Sequence, residues 1–480
     1  MCKSNIVERK IKDIFFLFLF IALIISCNSI DPVSDNNNGE NINEDTTDDN
    51  SNNCEDCVYV YNFEINTLGV GPESEIVDEP KVPAALKIKK ADSVFFEGII
   101  GIEIRGETSQ YFDKKSYGIE TWDQQYNDID VPLLGFPEEE DWILYGPFSD
   151  KTLIRNKIIY ELSNLMGYYA SRTEFVELTI NYEYKGLYIF MEKLKRDKNR
   201  INISKLEEND LDENTISGGY IIKIDKSDME DGSYTDYNSF QSNYDVFGIL
   251  NGDKKINFNY EYPKPGEIHA DQKKYIQKYF NEFEFSLASN NFKNPIDGYR
   301  KYINENSFID FFILNELSNN VDGYRLSTYL YKDRGEKLNI GPIWDFNLSF
   351  GNADYCGGER YDLWCYKFNE RCLGDSWNVP FWWERMLEDE SFVIKLKNRW
   401  SDLRTNILSD ENLMDIINTK YSLLNNETDV IKKNFDKWRI FGIYIWPNSF
   451  IGNNYYEEIE FLKNWIKLRT SWLDKEIDKL

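Results

Sequence analysis

The chain has 480 residues, of which 41 % are hydrophobic and 16 % aromatic, so it can bury a sizeable core and wholesale disorder is excluded. Acidic residues outnumber basic ones 83 to 55, a net charge of −28 that argues against a nucleic-acid binder and against docking on anionic lipid by charge alone. A single histidine, His269, excludes Ser-His-Asp and Cys-His triads and any His-rich zinc site. An enzyme built from this chain works with carboxylates, Lys, Arg, Asn or a bound metal.

Residues 1–27 read as an export signal. Lys3, Arg9, Lys10 and Lys12 precede an apolar run from Ile14 to Ile25, too short to span a bilayer comfortably, closed by Ser26 and Cys27. Leu23-Ile-Ile-Ser-Cys27 resembles a bacterial lipobox, which implies lipidation at Cys27 and an outer or cell-surface membrane lipoprotein. Residues 28–57 hold nine Asn and nine Asp or Glu with no Lys or Arg, the composition of a disordered, self-repelling tether. The signal carries +2 and the tether −9, which leaves −21 on residues 58–480. Outside the cytoplasm disulfides are permitted. A bridge within Cys356, Cys365 and Cys372 is expected, with its partners open, and Cys54 and Cys57 have redox or zinc spacing without supporting context.

From residue 58 to about 184 the pattern is strand-like, with strands at 58–61, 95–104, 116–121, 175–180 and 186–191. One helix interrupts at Leu153–Met166, with Ser149 or Asp150 as cap and Gly167 as stop. A further strand pair reads 219–224 and 327–331. Beyond about 271 helices dominate: 272–286, 307–317, 381–387, 392–407, 410–426 and 456–480, the last with a stripe of Leu462, Trp465, Ile466, Trp472, Leu473 and Ile477. The expected fold class is α+β, with a β-rich N-terminal half and a helical C-terminal half.

Two segments hold acids where core strands or turns would place them. Asp322 lies in 319–331 and Asp345 in 340–351, between Trp344 and Phe346. The intervening Lys332–Lys337 reads as a hairpin turn that brings both acids to one end. Asp322, Asp345 and Asn347 make an oxygen-ligand set for Mg²⁺. A third segment, 104–119, is a polar turn in which Arg105, Lys114 and Lys115 can meet phosphate oxygens. Glu192 sits at a strand end before a basic cluster. Each has a plainer reading: Asp322-Gly323 as a turn, Asp345 as a partner of Arg325, Lys114 and Lys115 as a solvated pair, His269 as a surface residue.

With these residues in view, the sequence resembles the CotH family, the spore coat protein H kinases. The motifs recur in order: Arg105-Gly and Lys114-Lys-Ser-Tyr117; Trp142, Asp150-Lys and Arg155-Asn156; Gly186-Leu-Tyr and Glu192-Lys; Gly218 to Asp225; Tyr262 to Pro265; Asp322-Gly; and Trp344-Asp-Phe-Asn347. The resemblance implies an atypical protein-kinase-like fold, binding of ATP with Mg²⁺ (or Mn²⁺), and phosphoryl transfer to Ser or Thr of a surface or secreted protein. It implies Asp322 as the catalytic-loop acid, Asp345 with Asn347 and Ser327 as metal ligands, and Arg105, Lys114 and Lys115 around the phosphates, with Glu192 pairing to Lys115. Ser327 stands where familiar members have Asn, and Asn347 where they often have Asp; both are weaker Mg²⁺ ligands. The alternative is a kinase-fold surface lipoprotein that binds protein or glycan without catalysis. The implied organisation is a lead-in at 58–92, a kinase-like domain at 93–430 and a helical extension at 431–480.

Overall fold

The structure, a computed structural model, describes residues 60–69, 75–91, 93–229 and 231–480. The expected signal with Cys27, the tether, and the Cys54 and Cys57 pair lie outside the described residues. Asp56–Leu480 forms one compact unit.

The first seven strands are β1 (Tyr61–Thr67), β2 (Val82–Lys90), β3 (Ser93–Arg105), β4 (Ser116–Trp122), β5 (Asp141–Tyr145), β6 (Thr173–Ile180) and β7 (Glu183–Glu192). They close a barrel in the order β1-β2-β3-β4-β5-β7-β6. All neighbours are antiparallel except the closing pair, β1 beside β6, where Tyr61 faces Val176 and Ile65 faces Ile180. Alternation drives this: Ala84, Leu86 and Ile88 of β2 point inward while the residues between them stay half-exposed. The interior is filled by side chains, with Trp142 stacked on Phe190 at 5.1 Å. The segment expected as a lead-in thus supplies two barrel strands.

A second sheet joins β8 (Tyr220–Ile224), β9 (Ser239–Asp245), β10 (Lys255–Tyr262), β11 (Thr328–Lys332) and β12 (Asn339–Ile340) in the order β12-β11-β8-β10-β9. The helices are α1 (Arg155–Leu165), α2 (Ala270–Ala288), α3 (Glu305–Ser318), α4 (Phe368–Arg371), α5 (Trp382–Leu387), α6 (Glu390–Thr405), α7 (Asp410–Tyr421), α8 (Val430–Lys437) and α9 (Tyr455–Ile477). Mixed sheets and helices make the fold α+β. The single histidine has a structural use: His269 caps α2, its Nδ1 accepting from Asp271 N at 3.1 Å.

Helix α3 is the axis of the helical half. Every residue but Asn306 is buried, including the polar Glu305, Ser307, Asp310, Asn315, Glu316 and Ser318. Its buried Glu316 meets Arg469 of α9 at 3.2 Å and also accepts from the Tyr324 hydroxyl at 3.1 Å. Buried charge of this kind persists only when paired and hydrogen-bonded.

Candidate active site

Three sheet strands carry three acids to one edge. β11 and β8 are antiparallel, with Thr328 opposite Ile224, so Asp225 after β8 lies beside Ser327 before β11. β12 pairs back on β11, Leu330 opposite Ile340, and the chain then returns to Asp345 at the same edge. The expected hairpin is present and does bring Asp322 and Asp345 together. With Asp225 they line a cleft of about 870 Å³ whose other wall is the loop after β3.

Each acid is held differently. Asp322 follows the left-handed Asn319 that ends α3 (φ +43°). Its Oδ1 accepts from Arg325 Nη2 at 2.8 Å, and Arg325 also reaches Asp375 at 3.1 Å. Arg325 therefore partners Asp322 rather than Asp345. Asp225 accepts from Lys226 N at 2.9 Å and lies 3.7 Å from Lys223 Nζ. The Asp345 carboxylate opens into the cleft and has no hydrogen-bond partner among the described residues. Its backbone sits at φ +62°, an uncommon conformation that persists only where surroundings enforce it.

Helix α1 does the enforcing. Tyr160 Oη accepts from Asp345 N at 3.0 Å, and Asn156 Oδ1 accepts from Phe346 N at 2.8 Å. Arg155 Nε donates to Ser349 O at 3.0 Å while its Nη1 pairs with buried Asp150 at 2.5 Å. Asp150 also receives Arg155 N and Thr152 N, so one carboxylate starts the helix and locks the arginine. The Asp150 to Asn156 motif is thus the clamp on the Asp345 turn.

Enclosure by the cleft walls raises all three acids, and for Asp345 repulsion by the other two adds to it. Asp345 is pushed up to about 7, first by enclosure and then by Asp322 and Asp225, with Arg105 and Lys226 opposing. Water still reaches its carboxylate from the cleft. Asp322 and Asp225 are raised mainly by the same enclosure. Four cations, Arg105, Lys223, Lys226 and Arg325, face seven carboxylates around the cleft. The Arg105 guanidinium lies over the Trp344 ring at 5.9 Å and has no hydrogen-bonded acceptor among the described residues. Lys226 reaches Glu107 at 2.9 Å and so ties the β3 loop to the β8 end. Gly106 in that loop sits at φ +99°, and a Cβ there would meet Ser109 Oγ.

Other expected residues lie elsewhere. Lys114 is buried outside the cleft, donating to Leu187 O at 2.5 Å and Asn434 Oδ1 at 3.0 Å. Burial without a carboxylate pushes its ammonium well below the usual lysine range. Lys115 donates to Gln110 O at 2.7 Å and Phe112 O at 2.6 Å, closing its own loop. Glu192 pairs with Arg172 and, at 3.9 Å, with Arg200; it does not reach Lys115. Ser327 and Asn347 both face the cleft beside the acids. Sequence reasoning missed Asp225, Lys223 and Lys226 as cleft residues, although Lys223 and Asp225 end a motif already in view.

The donor set suits a hard divalent cation: three clustered carboxylates in negative excess, one of them with no protein donor. Among the described residues, the one acidic trio with oxygens within 4.8 Å is Asp130, Glu139 and Glu140 on the barrel. Lys195 fills that place, 2.6 Å from both glutamates. The cleft acids are more widely spread, as fits an ion that completes its shell with water and phosphate. The expected bridge is Cys356 to Cys372, and Cys365 is a buried thiol.

This α+β body with a carboxylate-lined cleft matches the family described as CotH kinase protein over residues 102–473. The chain belongs to the CotH kinase protein family. No curated protein matches the sequence.

Proposed function

We propose that the protein is a divalent-cation-dependent phosphotransferase that moves the γ-phosphoryl group of ATP to a Ser or Thr hydroxyl of a protein. The observation that carries this reading is the convergence of Asp225, Asp322 and Asp345 at one end of the cleft, with Arg105 facing Asp345. Phosphoryl transfer needs positioning, a cation and charge neutralisation more than it needs a histidine. Asp345 holds Mg²⁺ or Mn²⁺, with Asp225, Asn347 and Ser327 at hand; the ion neutralises phosphate charge when bound. Asp322, oriented by Arg325 and Tyr355, accepts the proton of the attacking hydroxyl. Arg105 and Lys226 take the cationic roles that Lys114 and Lys115 do not fill.

The pairing of a strand-built half with a helical half around the cleft supports kinship with protein kinases. The apolar run from Ile14 to Ile25 followed by Cys27, together with the disulfide, supports an exported, lipid-anchored protein acting at a bacterial surface. The test is transfer of labelled phosphate from ATP to a protein acceptor or to the protein itself. Asp345→Ala lowers the rate about 100-fold or more; equal transfer by both proteins overturns the assignment. Ser327 and Asn347, as weaker ligands, favour a second reading, a non-catalytic binding module. That reading prevails if wild type binds Mg²⁺·ATP without transferring phosphate.

A further inference from the structure

The Cys356–Cys372 bridge joins two stretches of chain that both reach the Asp322 turn. Tyr355, the residue before Cys356, places its Oη 3.5 Å from Asp322 Oδ1. On the other side, Asp375 N donates to Cys372 O at 3.1 Å, so the bridged cysteine starts the turn that presents the Asp375 carboxylate. That carboxylate accepts from Arg325 Nη1 at 3.1 Å, while Nη2 of the same arginine donates to Asp322 Oδ1 at 2.8 Å. The buried Arg325 guanidinium also lies 4.0 Å from the centre of the Phe368 ring, inside the bridged segment.

The enclosed segment holds the start of the same turn. Asn319 Nδ2 donates to Gly357 O and Arg360 O, both at 2.9 Å, and the Cys365 thiol donates to Asn320 O at 3.0 Å. Across the closed ends, Arg371 Nε adds a hydrogen bond to Cys356 O at 2.6 Å. The Asp345 end of the cleft is held otherwise, by Tyr160 and Asn156 of α1. One end of the site is therefore supported through a disulfide and the other is not. Cys356 and Cys372 are each partly exposed, as attack by a thiol requires, whereas Cys365 is buried.

Resting on the phosphotransferase reading, we propose that the bridge is a redox-responsive positioning element for Asp322. With the bond closed, Tyr355 and the Asp375–Arg325 pair aim the acid at the attacking hydroxyl. A dithiol reductant opens it: two electrons and two protons pass to Cys356 and Cys372 as thiols, and the reductant closes to a disulfide. Asp322 then loses its orientation while the cation end is kept. Transfer is thus high where disulfides persist and low in a thiol-rich compartment.

The experiment compares oxidised protein with protein reduced by dithiothreitol, in phosphate transfer, Mg²⁺·ATP binding and amide hydrogen exchange. Reduction is expected to lower kcat about 10-fold or more, since a misplacement of about 1 Å can cost about 100-fold, with the Kd for Mg²⁺·ATP unchanged. Exchange rises at the Asp322, Gly323 and Leu326 amides, which are bonded within the turn, and stays as before at those of Asp345 and Phe346. Reoxidation restores both readouts. Asp375→Ala, which keeps the bridge, lowers kcat in the same way, and reduction then costs it less than it costs wild type. The double variant Cys356→Ser, Cys372→Ser has the kcat of reduced wild type and no response to the dithiol. An unchanged kcat after full reduction overturns the proposal. So does an equal loss of transfer and of Mg²⁺·ATP binding, which marks general loosening. Oxidised protein that transfers no phosphate overturns the phosphotransferase reading, and the exchange pattern then decides by itself whether the bridge positions the Asp322 turn.

Discussion

At the residue scale, the Asp345 carboxylate is the group whose state the cleft controls. Its pKa of about 7 stands above the ordinary 3.8, so the folded protein holds a proton that the unfolded chain releases. This contribution to stability is present below about pH 4 and is lost as pH rises towards 7. A divalent cation competes for the same oxygens and is bound best when that proton has left. Mg²⁺ affinity measured calorimetrically is therefore expected to rise between pH 6 and 8, with proton release on binding. Asp345→Asn is expected to flatten that dependence. A pH-independent wild-type affinity contradicts the assignment. Lys114 and Arg105 make a second contrast. Lys114→Met leaves Leu187 O without its buried donor and is expected to cost about 1–3 kcal/mol in urea unfolding. Arg105→Ala is expected to weaken Mg²⁺·ATP binding with little change in stability.

These two residues also show what can be read from a sequence. Asp345 was legible because a charge between Trp344 and Phe346 in an apolar run needs a reason. Lys114 was misread because a lysine beside a polar loop looks alike whether it awaits phosphate or a distant carbonyl. The acceptors on Leu187 and Asn434 come from far along the chain. Nothing local announces them. Asp225 ends an apolar strand and belongs to a motif, yet only the pairing of β8 with β11 sets it beside Ser327.

At the element scale, α1 and the Asp345 turn behave as one unit. Asp150→Ala strands Arg155 in a dry site, and breaking a buried pair costs about 3–5 kcal/mol. Denaturant unfolding checks the stability loss. Asn156→Ala is the milder probe: it frees Phe346 N and is expected to slow phosphate transfer more than it lowers the unfolding midpoint. The long helices were legible from the sequence, and α2 and α3 fall within two residues of their expected ends. The β11–β12 hairpin was legible from its polar turn. β2, β9 and β10 were not expected: Pro83 interrupts the first and β9 has only Phe240 and Tyr244 among polar residues, whereas β10 alternates strictly from Lys255 to Tyr262, a signal that was present in the sequence.

At the scale of the whole molecule, barrel closure is the feature no local pattern contained. It depends on β1 lying parallel to β6, a pairing between distant segments. It also sets a limit on truncation. The family match begins at residue 102, inside β3, so a fragment confined to 102–473 lacks β1 and β2 and leaves β4 and β6 with open edges. Such a fragment is expected to aggregate, whereas one starting near Val58 is expected to run as a folded species in size-exclusion chromatography. A soluble, cooperatively unfolding 102–473 fragment contradicts this account. The Cys356–Cys372 bridge spans 16 residues, and its removal in Cys372→Ser is expected to cost about 3 kcal/mol in the same unfolding assay.

The same closing strand has a mechanical meaning. Everything N-terminal to residue 61 is joined to the folded body through β1. That strand is laddered on both sides, antiparallel to β2 and parallel to β6. A pull delivered along the chain from an anchored N-terminus runs down the axis of β1. It loads both rows of hydrogen bonds at once, in shear, instead of opening them one after another. An anchor at Cys27 would then transmit drag from a moving surface into a barrel strand that is held on both sides.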